Sequence, residues 1–385
     1  MGEVHLRVGD DERLARAAWS RISEPGDPQA GTTISVLGAV GALRWLESSA
    51  RHPDRLPRRQ QACVERWAPR LEGLEPERDL ERFAKLGGRV IVPGDPEWPV
   101  GLADLGAAVP HALWVRGAHQ LPGGENARSA VAIVGSRAST RYGEGVAREF
   151  GFGLAEEGFP VISGGAYGID AAAHRGALAA SGAGTIAVLA GGADRLYPAG
   201  NEEMLRRVIE EGAIVAELGP GSAPTRHRFL ARNRLIAALG TVVVVVEAGH
   251  RSGALSTANH AVEIMRTIGA VPGPITSVAS GGCHRLLREQ KAVCVTSTQD
   301  ILELVGPIGS VEEAPEPACA PGLLDGLEPL ASQVFDALPA RAGAEVTSLV
   351  RTSGLSATEV LHGLATLHTL GRVRRVGERW ARVTS

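Results

Sequence analysis

Residues 241–257 read TVVVVVEAGHRSGALST. Thr241–Val246 is apolar almost throughout, as expected of a central strand covered on both faces. It runs into Glu247-Ala248-Gly249-His250-Arg251-Ser252-Gly253, and a helix candidate follows over Ser256–Met265. Strand, glycine-bearing loop and helix make the repeating unit of an α/β sheet.

The unit recurs on both sides of this stretch. Short apolar runs at Arg89–Val92, Ala112–Val115, Ala130–Val134, Pro160–Ile162, Thr185–Leu189, Ala213–Ala216 and Thr267–Val271 read as strands. Helix candidates at Gly143–Glu157, Ile169–Ala180, Glu202–Glu211 and Asn233–Leu239 lie between the later runs. Such alternation implies βαβ crossovers and a mostly parallel sheet. Before Gly88 the pattern is helical, with candidates at Asp11–Ala18, Ser35–Leu46 and Arg58–Trp67 and a loop over Ile22–Gly31. Residues 306–326 are rich in Pro, Gly and Glu and read as a linker. Beyond them, helix candidates at Leu330–Leu338, Glu345–Arg351 and Ala357–Leu370 precede a strand-turn-strand, Arg372–Val376 and Arg379–Val383. Three helices and a terminal hairpin suggest a winged helix-turn-helix. The expected division is an N-terminal helical domain (1–85), an α/β domain (86–305), the linker (306–326) and a winged-helix-like domain (327–385).

Composition narrows the function. The 385 residues carry 40 basic and 43 acidic side chains, a net charge of −3, which taken alone argues against a nucleic-acid ligand. Lys85 and Lys291 are the only lysines, so side-chain contacts to anions would be made mostly by guanidinium forks. Cys63, Cys283, Cys294 and Cys319 form no CxxC pair, which supports neither a zinc ribbon nor a disulfide framework. No apolar run has the length of a membrane helix and the first residues hold no apolar signal core, so a cytoplasmic address with no membrane partner is expected.

The strand ends carry the chemistry. Ala130–Val134 runs into Gly135-Ser136-Arg137-Ala138-Ser139, Pro160–Ile162 into Ser163-Gly164-Gly165-Ala166-Tyr167-Gly168, and Thr185–Leu189 into Gly191-Gly192. Thr241–Val246 runs into the loop quoted above, and Thr267–Val271 into Pro272-Gly273. In an open parallel sheet these ends share one edge, where ligands bind. In any single loop glycine serves the strand-to-helix turn. Five such loops on one edge point to a groove for phosphates, which free N–H groups at helix starts attract. Gly135-Ser136-Arg137 is not GxGxxG and no GxxxxGK[ST] occurs, so neither a nicotinamide site nor a P-loop fits. Arg232-Asn233-Arg234 opens a helix after Phe229 and reads either as a phosphate contact or as a solvated helix start. Ser252-Gly253 through Thr257 offers hydroxyls at a helix start, with capping by Ser256 as the plain alternative. Asp170 and His174, four apart on one helix, read as a structural pair before a metal or acid/base pair. Glu217 and Glu247 stand at strand ends without an evident nucleophile, and His250 and His284 are isolated. No metal or cofactor is implied.

In order along the chain stand VAIVGSRAST-RYG (Val131–Gly143), SGGAYGIDAAAHRGAL (Ser163–Leu178), TIAVLAGGADRLYPAGN (Thr185–Asn201), FLARNRLIAAL (Phe229–Leu239), VVEAGHRSGALSTANHA (Val245–Ala261) and AVPGPI (Ala270–Ile275). GDPEWPVGLADL (Gly94–Leu105) and LWVRG (Leu113–Gly117) precede them. Over roughly residues 88–305 the chain resembles the DNA-processing protein A (DprA/Smf) family. The resemblance implies an extended Rossmann-like sheet that dimerises and binds single-stranded DNA, helps load the RecA recombinase during natural transformation and protects the DNA from nucleases, without catalysis. It places phosphate contacts on Gly135, Ser136 and Arg137, on Arg232, Asn233 and Arg234, and on Ser252 and Gly253. Ser139, Ser163, Gly164, Gly165 and Thr257 complete the candidate DNA-contacting set with Tyr167, which stands where many relatives have Arg and could stack on a base. Leu230 replaces a Pro common in relatives. The N-terminal helices resemble sterile-alpha-motif modules by topology only.

Two further readings remain. Nucleotide-handling phosphoribohydrolases share a glycine-rich edge and a Glu after a late strand, which Glu247 matches, although their Pro-Gly-Gly-x-Gly-Thr-x-x-Glu loop is absent. A mononucleotide sensor would bind one nucleotide with no gain from length. In the C-terminal unit, Ala357–Leu370 holds no Lys or Arg, whereas Arg372, Arg374, Arg375, Arg379 and Arg382 lie in the hairpin. That favours docking of a protein partner over duplex DNA, with wing-to-phosphate contact as the rival.

Overall fold

The computed structural model describes residues 11–123, 129–306, 327–339 and 342–383. The chain forms two compact units, Met1–Glu312 and Glu313–Ser385. All of the expected linker except Gly306 lies outside the described residues.

Among the described residues, four helices precede the sheet of the first unit: α1 (Glu12–Ile22), α2 (Pro28–Arg51), α3 (Arg58–Trp67) and α4 (Pro76–Lys85). Asp11 and Asp27 cap α1 and α2 by accepting backbone N–H groups. Proline in the first turn suits the start of α2, so the connecting loop is shorter than the sequence suggested. Gly38, at φ 71°, kinks α2. The sequence reading missed α4, whose buried face is short and includes Asp79 and Phe83. Phe83 meets Trp114 edge-on at a centroid distance of 5.3 Å, and Trp114 donates to Ser20 Oγ at 3.0 Å. The helical region therefore packs directly onto the sheet, within one compact unit.

Among the described residues the sheet has nine strands. In chain order its elements are β1 (Gly88–Ile91), β2 (Leu113–Arg116), β3 (Val131–Gly135), α5 (Arg141–Glu156), β4 (Val161–Ser163), α6 (Ile169–Ala177), β5 (Thr185–Leu189), α7 (Glu202–Glu211), β6 (Ala213–Ala216), α8 (Arg226–Leu239), β7 (Val242–Glu247), α9 (Ala254–Glu263), β8 (Thr267–Ala270), α10 (Gly281–Arg288), β9 (Val293–Cys294) and α11 (Thr298–Val305). The strand order is β1-β2-β6-β5-β4-β3-β7-β8-β9. From β6 to β9 every pairing is parallel, while β1–β2 and β2–β6 are antiparallel. This is an α/β, Rossmann-like, mostly parallel sheet.

The valine run behaves as its composition requires. Val243 and Val245 pack into a core with Leu235, Ile236 and Ala258 of α8 and α9. Val242, Val244 and Val246 pack into a second core with Phe150, Leu154 and Ala173 of α5 and α6. Each is at most 2% exposed, and full burial of a valine contributes about 1.5 kcal/mol or more. Strands β4, β5 and β6 step away from β3 in one direction, and β7, β8 and β9 in the other. The reversal between β3 and β7 opens a crevice at the carboxyl ends of the strands.

Helix α8 differs from expectation. It starts at Arg226, with Thr225 as its cap, so Arg232-Asn233-Arg234 lies mid-helix and does not open it. The polar first turn, Arg226-His227-Arg228, hid the start from a search for apolar spacing. Helix α9 likewise starts at Ala254, leaving Ser256 inside it and not at its cap.

The second unit contains α12 (Pro329–Ala337), α13 (Val346–Ser353), α14 (Ala357–Thr369) and the antiparallel hairpin β10 (Val373–Val376) and β11 (Arg379–Arg382). Val334, Phe335, Leu349, Val360, Leu364 and Leu367 form its own core. Ser356 and Glu359 close a capping box on α14. Among the described residues no helix is long and apolar enough to cross a membrane.

Candidate nucleic-acid interface

A cleft of about 940 Å³ opens where the strand order reverses. Its walls are Gly135–Ala138 after β3, the exposed side of α8 from Arg226 to Asn233, and Gly249–Gly253 after β7, with Tyr197 and Val278 at the rim. The β3 loop is anchored from below. Ser136 N–H donates to the Glu247 carbonyl at 2.7 Å, and the Glu247 carboxylate accepts from Thr140 N at 2.9 Å and Thr140 Oγ1 at 2.5 Å. Both Glu247 oxygens are thus engaged in holding the start of α5. Glu247 does not line the cleft, so its geometry gives no support to a role as general base.

The floor is built around Asp170 and Arg232, 6% and 5% exposed. Asp170 accepts the Gly164 N–H at 3.2 Å and is also hydrogen-bonded by the backbones of Ala166 and Gly135. One carboxyl thereby joins the loops after β3 and β4. Burial pushes its pKa up, and Arg232 and the backbone donors oppose that rise. Arg232 donates to the Gly164 carbonyl at 2.7 Å and to the Val188 carbonyl. Burial lowers the guanidinium to about 10, with Asp170 opposing, so it stays charged at neutral pH. Gly164 sits between the two groups. A Cβ there would come within 2.6 Å of Asp170 Oδ2 and collide with the Arg232 guanidinium. Asn233 Nδ2 donates to the Gly253 carbonyl at 3.2 Å and ties α8 to the β7 loop.

Above the floor the cations are free. Arg137, Arg226 and Arg251 are exposed, and among the described residues none has a carboxylate at salt-bridge distance. The Arg137 guanidinium lies 4.6 Å from the centroid of Phe229, a cation–π contact that aims it across the cleft. Arg232 approaches the same ring at 5.8 Å, and Tyr197 at a centroid distance of 6.0 Å. Among the described residues, four arginines and one carboxyl, Asp170, line the cleft, so its local charge is opposite in sign to that of the whole chain.

Eight of the sequence candidates meet here: Gly135, Ser136, Arg137, Arg232, Asn233, Ser252, Gly253 and Thr257. The others lie elsewhere. Ser163 is fully buried and donates to the Ile133 carbonyl at 2.6 Å, a stitch between β4 and β3. Gly164 is buried behind Arg232. The Gly165 carbonyl accepts from Asn201 at 3.0 Å. Ser139 donates to Glu144 at 2.7 Å. Tyr167 stands half exposed against the β5–α7 loop. Arg234 is 4% exposed and pairs with Glu217 at 2.6 Å. Residues two apart on an α-helix point roughly 200° from one another, so Arg232 and Arg234 cannot share the cleft face. His174 is also structural. Its Nδ1 donates to Thr185 Oγ1 at 2.7 Å, since that hydroxyl donates to the Val161 carbonyl, and burial holds its pKa at about 3. Sequence reasoning passed over Phe229, Tyr197, Arg226 and Arg251 as site residues, although the first two and Arg251 lie within the motifs it quoted and Arg226 three residues before one.

The family described as DNA recombination-mediator protein A matches residues 89–306. The putative DNA processing protein DprA of Mycobacterium tuberculosis is 43% identical over 384 residues, covering 96% of this chain and 94% of that protein. Protein Smf of Escherichia coli is 35% identical over 354 residues, covering 89% and 91%. The crystal structure of DprA from Streptococcus pneumoniae superposes with a TM-score of 0.59 at 29% identity, over 77% of this chain and 98% of that one. DprA of Helicobacter pylori, studied for its unique single-stranded DNA binding mode, gives a TM-score of 0.50 at 27% identity over 56% and 94%. The matched span holds the sheet, the reversal and every wall of the cleft, and on these similarities the chain belongs to the DNA recombination-mediator protein A (DprA/Smf) family.

Proposed function

We propose that the cleft binds single-stranded DNA by its phosphates, and that the protein protects incoming strands and passes them to the RecA recombinase during natural transformation, acting as a cytoplasmic homodimer without catalysis. The observation that carries this reading is the trio of unpaired, exposed arginines at the switch point, with Arg137 held on Phe229. Arg137 makes a charge-assisted, bidentate contact to one phosphate. The Ser252 N–H already donates to the Gly249 carbonyl at 3.0 Å, so the Ser252 hydroxyl and the Gly253 N–H take a neighbouring phosphate, and Arg226 and Arg251 extend the path. The Helicobacter pylori relative's single-stranded DNA binding supports the choice of ligand.

An anisotropy titration with oligo-dT at low salt tests the site. Arg137→Ala should lose about 1.5–3 kcal/mol of binding, the range for hydrogen bonds to charged groups. Unchanged affinity would remove the core of the proposal. RecA filament growth on single strands coated with a single-strand-binding protein, with and without this protein, tests the handover. An unchanged rate would restrict the role to binding.

A further inference from the structure

The chain has three tyrosines; Tyr167 lies on the β4–α6 loop and Tyr197 on the β5–α7 loop, whose Gly200 touches Tyr167. Their exposures are 48% and 47%. Tyr197 lines the cleft, with its ring tilted 50° to that of Phe229. Tyr167 lies between two cleft residues, Ala166 and Asp170, and its hydroxyl accepts the Gly200 N–H at 3.3 Å. Gly200 lies beside the ring: a Cβ there would come within 2.9 Å of Tyr167 Cε1. One hydroxyl contact and one glycine hold the Tyr167 ring at its edge and leave about half of the residue in water.

Tyrosine offers a large apolar surface at small entropic cost, and burying it is the usual outcome. Here two rings are left half exposed beside a cleft with an excess of cations. Phosphates bound to Arg137 and Arg251 would leave the bases to turn outward, and the two rings are large flat surfaces on the adjoining β4–α6 and β5–α7 loops. We infer that Tyr167 and Tyr197 are stacking platforms for nucleobases, which makes the site a binder of base-bearing strands and not of polyanions in general. This inference rests on the single-stranded DNA reading of the cleft. Stacking of this kind tolerates any base, since every base has a π-face.

The test compares oligo-dT with an abasic deoxyribose-phosphate oligomer of equal length and charge. The intact protein should bind oligo-dT about tenfold or more tighter than the abasic oligomer. Tyr167→Leu and Tyr197→Leu should each weaken oligo-dT binding about fivefold or more. Tyr167→Leu should leave affinity for the abasic oligomer unchanged, and Tyr197→Leu, whose ring packs on Phe229, should lower it by much less than it lowers oligo-dT binding. Tyr167→Phe and Tyr197→Phe, which keep the ring, should retain the preference, with thermal melting used to confirm that each variant is folded. Equal binding of the two oligomers by the intact protein, or an equal loss for both in the leucine variants, would overturn the stacking role and leave the phosphate cleft standing. Binding of neither oligomer would overturn the cleft reading itself.

Discussion

At the scale of single residues, Gly164 shows how tightly the floor of the cleft is drawn. It fits only because nothing projects between the Asp170 carboxyl and the Arg232 guanidinium. Gly164→Ala should destabilise the fold by about 1–3 kcal/mol, the cost of overpacking, read as a lower urea midpoint with unchanged slope. His111 and His174 should make stability depend on pH. Both are buried and neutral, with pKa values lowered to about 3 by burial first and by neighbouring guanidiniums second. Between about pH 3 and 6.5 the unfolded chain therefore binds more protons than the native one, and stability rises with pH across that window. Each histidine costs up to about 1.4 kcal/mol for every pH unit below 6.5. Asp170, whose pKa is raised, acts in the opposite sense and offsets part of that loss. The urea midpoint should fall between pH 7 and pH 5. Gly164 and Asp170 are visible in the sequence only as parts of a motif. Their contact with Arg232, 68 residues after Gly164, depends on strand order, which no local pattern encodes.

At the scale of elements, α8 divides its arginines by geometry. Arg232 faces the cleft floor, while Arg234 faces Glu217 and the backbone of Gly26. Removing one partner of a buried pair leaves the other charge uncompensated. Arg234→Ala should therefore lower stability by about 3–5 kcal/mol while the folded variant keeps its affinity for single strands. Arg137→Ala should do the reverse, and denaturation paired with anisotropy separates the two. The strands β3 to β8 are legible in the sequence because buried parallel strands are near-continuous apolar runs, and the antiparallel β1 and β2 also fall on short apolar runs. Strand β9 was passed over: it is only two exposed residues long, although it lies within the apolar run Ala292–Val295. The polar first turn of α8 hides its start, and with it the division between Arg232 and Arg234.

At the scale of the whole molecule, the net charge of −3 misleads because charge is distributed unevenly. Many arginines away from the cleft are spent in ion pairs, such as Arg13–Asp95, Arg21–Asp79 and Arg266–Asp104. Those lining the cleft outnumber its one carboxyl by four to one. Screening limits distant charges to about 8 Å at physiological salt, so the local excess governs contact. The C-terminal unit has its own core, and the exposed face of α14 offers Leu361 and His362 but no cation. Deleting residues 327–385 should leave oligo-dT affinity unchanged and remove only what that unit docks. The most direct test of the cleft as a site for single strands is a length series, from a mononucleotide upward, titrated at several salt concentrations. Affinity should climb with length until the cleft is filled, and the salt slope should steepen by about 0.7 for each phosphate engaged. Saturation by a single nucleotide, with no gain from length and a flat salt dependence, would contradict the assignment.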